Sequence, residues 1–321
     1  MTTRGSRQYW PHRRAARLLP RARSFRKRGG EPRLGNLVAY KAGMSNIVMM
    51  DDSESPSKQQ EVSRACTVLE VPTTEVYGIR FYKEDGLTGY RAVAAELYSK
   101  STAQKLKINA KTNEGKLQDF KSKLSEYSDV TALLVAYPKT TNVEQNKPER
   151  FESHVDGKSI EEKFDFVSAN LGKEVRPDAV FKQGEYVDVS SVTKGKGWQG
   201  IIKRYGAARL PHKSTQKVRH IGTHGDMGTA KVMYTVPQPG QTGYNYRTER
   251  NKRILKLGAK DAVQQINPSS GFKHYGTARN SFMVIEGSIP GPARRLVRIR
   301  ESLGNLNAKG VKEPKIVKLA G

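Results

Sequence analysis

Positive charge sits in blocks along this chain, and the blocks constrain it more than any single motif. Residues 1–33 hold 11 Lys/Arg against one acid, Glu31, a net of +10. Residues 190–260 hold 15 against Asp226 and Glu249, a net of +13, and residues 271–321 hold 10 against three, a net of +7. Residues 51–189 differ, with 20 bases and 24 acids, a net of −4. Self-repulsion destabilises a compact body with such an excess unless a polyanion neutralises it. Charge that served solubility alone would be spread along the sequence. The pattern therefore separates polyanion-facing parts from a solvent-facing part, with nucleic acid the leading partner and an acidic membrane surface the weaker one.

Several classes fall away on simple grounds. Cys66 is the only cysteine, so there is no disulfide framework and no thiolate metal site. It lies in a strand-like stretch, where it is expected to pack as a small hydrophobe. The longest apolar run, residues 132–137, is far short of a membrane span. The basic N-terminus lacks the apolar stretch of a signal peptide, and a cytosolic protein is expected.

The first 33 residues have little hydrophobic period, Pro11 and Pro20 interrupt any helix, and Gly29 and Gly30 close the segment. This tail is expected to order only on a partner. Its candidate RNA contacts are Arg4, Arg7, Trp10, Arg13, Arg14, Arg17, Arg21, Arg23, Arg26, Lys27 and Arg28. Short β-rich runs follow at 37–50, 62–71 and 76–82, with 51–57 as a solvated hairpin loop. In residues 91–179 the period changes. Leu117, Phe120, Leu124 and Tyr127 mark one amphipathic helix, and Ile160, Phe164, Val167 and Leu171 mark another. The second begins with a capping box, Ser159 with Glu162, and ends at Gly172. Residues 132–137 between them read as a buried strand, and the whole stretch as a small, nearly neutral α/β insertion. Strands are then expected at 180–192, 200–204, 231–236, 253–257, 281–286 and 295–300, a pattern that suggests an all-β barrel. Residues 205–230 have no period, and a loop of that length needs a role outside the barrel.

Residues 193–253 carry the most specific chemistry. Nine glycines lie between Gly195 and Gly243, so the backbone can approach another surface closely. Lys194, Lys196, Lys203, Arg204, Arg209, Lys213, Lys217, Arg219, Lys231, Arg247 and Arg253 are interleaved with Trp198, Tyr205, Tyr244 and Tyr246. Cations neutralise phosphates while rings and guanidinium planes stack on exposed bases. KGKG at 194–197 lacks the spacing of a P-loop. His220 and His224, with Asp226 nearby, could be a metal set, but Gly222 and Gly225 oppose the helix that would align them. Both histidines are counted with the RNA-facing residues, and no metal or cofactor is expected. Near the C-terminus, Val297 and Ile299 are expected to point inward, leaving Arg298 and Arg300 on a face that is either solvated or turned to RNA.

Four motifs bring a family into view: YKAGMS at 40–45, VTKGKG at 192–197, GQTGY at 240–244 with Arg247 and Thr248, and GSIPGP at 287–292. In this order the sequence resembles the universal L-three family of large-subunit ribosomal proteins, in its archaeal and eukaryotic form. The resemblance implies a mainly β chain. Its parts would be a translation-factor-type β-barrel (34–90 and 180–321), an inserted α/β domain (91–179), a basic RNA-binding tail (1–33) and a long basic finger loop with its tip region at 205–230. It implies binding to large-subunit rRNA beside neighbouring ribosomal proteins, with tail and finger reaching towards the peptidyl-transferase centre. It also implies a role in early subunit assembly, with no small-molecule substrate, no membrane and no enzymatic activity. Gln241 and Met227 join the candidate contacts, and Met227 stands where relatives often carry a tryptophan. The alternatives are a non-ribosomal RNA chaperone, a metalloenzyme using His220 and His224, and a DNA-binding protein, since charge alone does not separate the two polymers.

Overall fold

A computed structural model describes residues 5–22, 24–25, 30–108, 117–214, 217–225, 230–304 and 306–319. Arg4, Arg23, Arg26, Lys27, Arg28 and Met227, all expected to meet RNA, lie outside the described residues. The chain divides into two compact units, Leu19–Ser191 with Thr248–Gly321, and Met1–Leu18 with Val192–Arg247.

In chain order the strands and helices begin with β1 (Arg33–Leu34), β2 (Asn36–Met50), β3 (Glu61–Glu70), β4 (Thr73–Glu84) and β5 (Arg91–Tyr98). Then come α1 (Lys100–Lys105), α2 (Leu117–Ser122), β6 (Asp129–Tyr137), β7 (Glu149–Asp156), α3 (Ile160–Ala169) and β8 (Tyr186–Val192). The rest are β9 (Gly195–Gln199), α4 (Ile201–Tyr205), β10 (Gly240–Gly243), β11 (Tyr246–Gly258), β12 (Phe282–Glu286), β13 (Leu296–Glu301) and β14 (Ile316–Leu319). The protein is mainly β.

Within the larger unit, one sheet runs β13-β8-β11-β12-β3-β2-β14, and β13 also pairs with β2. The ladder therefore returns on itself through six strands, which leaves those strands no open edge for wrong pairing. The length of β2 makes this possible. Its first half, from Asn36 to Tyr40, pairs antiparallel with β13, and Ile47 to Met49 pair with β14. Between the halves the register shifts at Lys41 and Gly43. A Cβ on Gly43 would lie 2.6 Å from the Phe272 ring, so only glycine admits that ring. Lys41 is buried and its Nζ donates to the carbonyls of Ile289 and Gly291, 2.8 and 3.2 Å away. The YKAGMS and GSIPGP motifs thus meet in one packed corner.

The second sheet runs β1-β7-β6-β4-β5. Its central strand β6 is buried along nearly its whole length, as its apolar run predicts. The α/β layer expected over 91–179 also takes in β4 and β1 from before that span. The Ser159 hydroxyl accepts from the Glu162 backbone N–H at 3.2 Å, so the Ser159 half of the expected box forms. The Glu162 carboxylate instead accepts from the Lys158 N–H at 3.0 Å, one residue before the N-cap, and the helix is capped at Asn170, ahead of Gly172. Phe164 and Val167 then face the sheet, where Phe81 stacks on Phe120 at 5.1 Å. Cys66 is buried and donates to the Ser45 carbonyl, and burial pushes its thiol up to about 11.

The charged face of β13 differs from both readings of it. Val297 and Ile299 are fully buried as expected, but Arg298 is only 7% exposed. It donates to the Pro20 and Glu152 carbonyls and to Asn36 Oδ1, with its guanidinium over the Phe151 ring. Burial pulls Arg298 down to about 10 against the opposing pull of Glu152, so it stays charged at neutral pH. Arg300 donates to the Ser24 carbonyl and to Asp188. These arginines tie the two sheets together with Pro20 and Ser24, because β13 faces the second sheet rather than water.

Candidate nucleic-acid interface

The smaller unit, Met1–Leu18 with Val192–Arg247, has 15 Lys/Arg and one acid, Asp226, in its sequence, so it carries +14 of the chain's +26. A single carboxylate cannot neutralise that set internally, and the remaining charge needs water, counterions or a polyanion.

Its frame is the antiparallel pair β9–β10, with Gly240 opposite Gln199, Gln241 opposite Trp198 and Gly243 opposite Gly195. Gly243 has φ +71°, and a Cβ there would lie 2.1 Å from the Lys194 carbonyl oxygen. No other residue fits so tight a crossing. The Tyr244 N–H donates to Lys194 O at 3.2 Å and the Thr193 N–H to Asn245 O at 2.9 Å. The VTKGKG and GQTGY motifs, far apart in sequence, are therefore the two sides of one ladder.

Residues 200–204, expected as strand, instead form α4, bracketed by Gly200 at its N-cap and Gly206 in the left-handed region at its C-terminus. Two turn-forming glycines around five residues override the β-branched Ile201 and Ile202. Arg204 Nη1 donates to the Gln238 carbonyl at 2.8 Å. Residues 231–236 also make no strand, and the Val236 N–H closes a turn on Met233 O at 3.1 Å. Among the described residues from 206 to 239 there is neither helix nor strand.

The tail lies along this frame and is held chiefly by backbone groups. The Ala15 N–H donates to Tyr244 O at 2.8 Å, and Asn245 Nδ2 donates to Arg13 O at 2.8 Å. Tyr246 both accepts from the Arg17 N–H and donates to the Arg17 carbonyl. Arg247 sits 4.1 Å above the Tyr9 ring. Trp10 meets Tyr234 edge-on at 5.4 Å and His12 at 4.6 Å. Burial, then Arg204 and Arg247, hold the His12 imidazole below its ordinary value, so it is kept neutral.

Because the anchors are backbone atoms, the charged side chains stay outward. Arg7, Arg13, Arg14, Arg17, Lys194, Lys196, Lys203, Arg209, Lys213, Lys217, Arg219, His220, His224 and Lys231 are all exposed. Trp198 is 75% exposed on β9. Trp10, Arg204, Gln241, Tyr244 and Arg247 are half-buried. The Trp10 ring packs against Tyr234 and His12. In the larger unit, Arg21 is exposed, whereas Arg253, expected among the RNA contacts, is buried. It is 8% exposed, and its Nη1 and Nη2 donate to the Asp52 carboxylate at 2.8 and 2.5 Å, with Nη2 also donating to Lys312 O. Its charge is spent on Asp52, because β11 is buried on both faces at residues 253–255 and leaves Arg253 no solvent-facing side. Sequence reading also missed Tyr9, His12, Tyr234 and Asn245, which together with Tyr246 hold the tail to the loop.

The sequence profile of the ribosomal protein L3 family matches residues 2–319. The chain belongs to the ribosomal protein L3 family. It is similar to a Methanothermobacter thermautotrophicus protein named large ribosomal subunit protein uL3, 39% identical over 307 residues, which cover 94% of this chain and 91% of that one. The Pyrobaculum aerophilum protein of the same name is 41% identical over 308 residues, covering 92% and 90%. That of Methanocaldococcus jannaschii is 39% identical over 306 residues, covering 94% and 90%. The L3-family match spans both units, so the basic unit and the two-sheet unit both belong to the family pattern.

Proposed function

We propose that the protein is a structural constituent of the large ribosomal subunit, binding large-subunit rRNA through the unit of tail and loop. The observation that carries this is a net +14 on a unit with one acid in its sequence, its arginines and lysines turned outward by a backbone-anchored frame. Each cation that meets a phosphate releases a counterion, which supplies affinity without base reading. Trp198 adds a planar surface for an unpaired base. Family membership, together with relatives named for the large subunit, favours RNA over DNA.

The finer architecture follows the same reading. The closed pairing of six strands supports a translation-factor-type barrel, and the five-stranded sheet with its helices supports an inserted α/β domain. Residues 205–230 form the tip region of a finger directed into rRNA towards the peptidyl-transferase centre. The chain is a scaffold, the catalysis belongs to RNA, and its binding supports early subunit assembly in the cytoplasmic ribosome beside neighbouring ribosomal proteins.

Gradient sedimentation tests this. The chain is expected to travel with the large subunit at one copy per particle and to stay there at moderate salt. Substoichiometric association with many unrelated RNAs would instead identify a general RNA chaperone.

A further inference from the structure

Among the described residues of the larger unit, the hairpin joining β4 to β5 carries the densest group of exposed large apolar side chains. Leu87 is 97% exposed, Tyr90 77% and Val93 50%, so three large apolar side chains stand in water within seven residues of sequence. Single exposed hydrophobes are ordinary, but a cluster on one projection marks an interaction site. The projection is also built to hold its shape. The Asp85 N–H donates to Tyr90 O at 3.0 Å and the Gly89 N–H returns to Asp85 O at 2.8 Å. The Asp85 carboxylate accepts from the Leu87 N–H at 3.2 Å and from the Thr88 hydroxyl at 2.7 Å. Those two bonds hold the Asp85 carboxyl below the usual carboxylate range. A turn pinned this way keeps Leu87 outward at little further entropic cost on binding.

Charge selects the partner. Residues 82–93 contain Lys83, Glu84, Asp85 and Arg91, a net of zero in a chain of +26. Arg91 is already engaged, with Asp129 at 3.3 Å and Glu84 at 3.8 Å. The hairpin thus offers almost no free cation to a phosphate backbone, whereas an apolar knob with balanced charge suits a protein surface with a matching apolar cleft. β5 is also the end strand of its sheet, so that surface can extend along an unpaired strand edge.

We propose that the β4–β5 hairpin is a protein-docking element, with Leu87 and Tyr90 as anchors inserted into an apolar cleft on another protein. It is functionally separate from the RNA-facing tail and loop.

The test uses the full chain expressed in its native cells with a photoreactive benzophenone side chain at position 87, and in a parallel strain at position 196. The probe at 87 is expected to give one reproducible adduct to a different protein, mapped to an apolar cleft on it, while the probe at 196 reports RNA. The double variant Leu87→Ser/Tyr90→Ser is expected to lower affinity for that purified protein by about tenfold to a hundredfold, the worth of one to two buried apolar anchors. Its thermal midpoint is expected to stay unchanged, since neither side chain supports the core. An adduct from 87 to RNA or to a second copy of this chain, no adduct at 87, or undiminished affinity of the double variant would overturn the proposal. Failure of the 196 probe to reach RNA would count instead against the RNA-binding reading.

Discussion

The tail arginines offer the sharpest separation of charge from structure. Arg7, Arg13, Arg14 and Arg17 are exposed, yet residues 13, 15 and 17 dock through their own backbone atoms. Replacing the four arginines with glutamine therefore removes four charges while leaving every docking hydrogen bond in place. If all four meet phosphates, the slope of log affinity against log salt falls by about 3, at roughly 0.7–0.9 per contact. Over a fourfold rise in salt, from about 50 to 200 mM, that difference amounts to about sixty-fold in affinity retained. The assay is fluorescence anisotropy with a large-subunit rRNA fragment across that salt range, with Trp10 emission in a Trp198→Phe background confirming that the tail remains docked. Parallel slopes for the variant and the parent would refute the reasoning, because they would mean that these arginines face water in the complex.

Trp198 and Trp10 are the only tryptophans, which makes fluorescence site-specific. In a Trp10→Phe background, rRNA is expected to quench Trp198 strongly, and an unchanged emission would show that no base stacks there. Arg253→Met is expected to cost about 1.5–3 kcal/mol of stability by stranding Asp52, read as a lower urea midpoint, with the salt slope of RNA binding unchanged. Asp52 keeps 34% of its side-chain surface exposed, so the low end of that range is expected. His12 has a lowered folded-state value, so its contribution to tail docking is fully present above its ordinary value near 6.5 and is lost as pH falls through its folded value. Trp10 emission in a Trp198→Phe background is expected to show undocking on acidification, with rRNA phosphates moving the transition to higher pH; a transition beginning above the ordinary value without RNA would contradict the assigned cause.

Charge blocks and turn residues made much of this molecule readable in advance. The strands at 36–50, 61–70 and 129–137 and the capped helix at 160–169 follow from local pattern, since each has one face or both faces committed to a core. The buried arginines were less readable. Arg253 and Arg298 look like any other basic residue in sequence, and only the folded chain shows that Asp52, in the loop after β2, or the Glu152 carbonyl, on β7 of the other sheet, waits opposite. Ile201 and Ile202 read as strand because β-branching was weighed above the flanking Gly200 and Gly206. The docking of the tail had no local signature, because its donors and acceptors are backbone groups partnered more than 200 residues away.

The account turns on which face of the chain meets RNA. Ultraviolet crosslinking of intact large subunits, followed by mass spectrometry of the crosslinked peptides, measures that directly. Nucleotide adducts are expected on residues 5–18 and 192–247, Trp198 among them, and to be sparse on β4 through α3. Adducts concentrated on that near-neutral sheet, with the tail and loop unmodified, would contradict it.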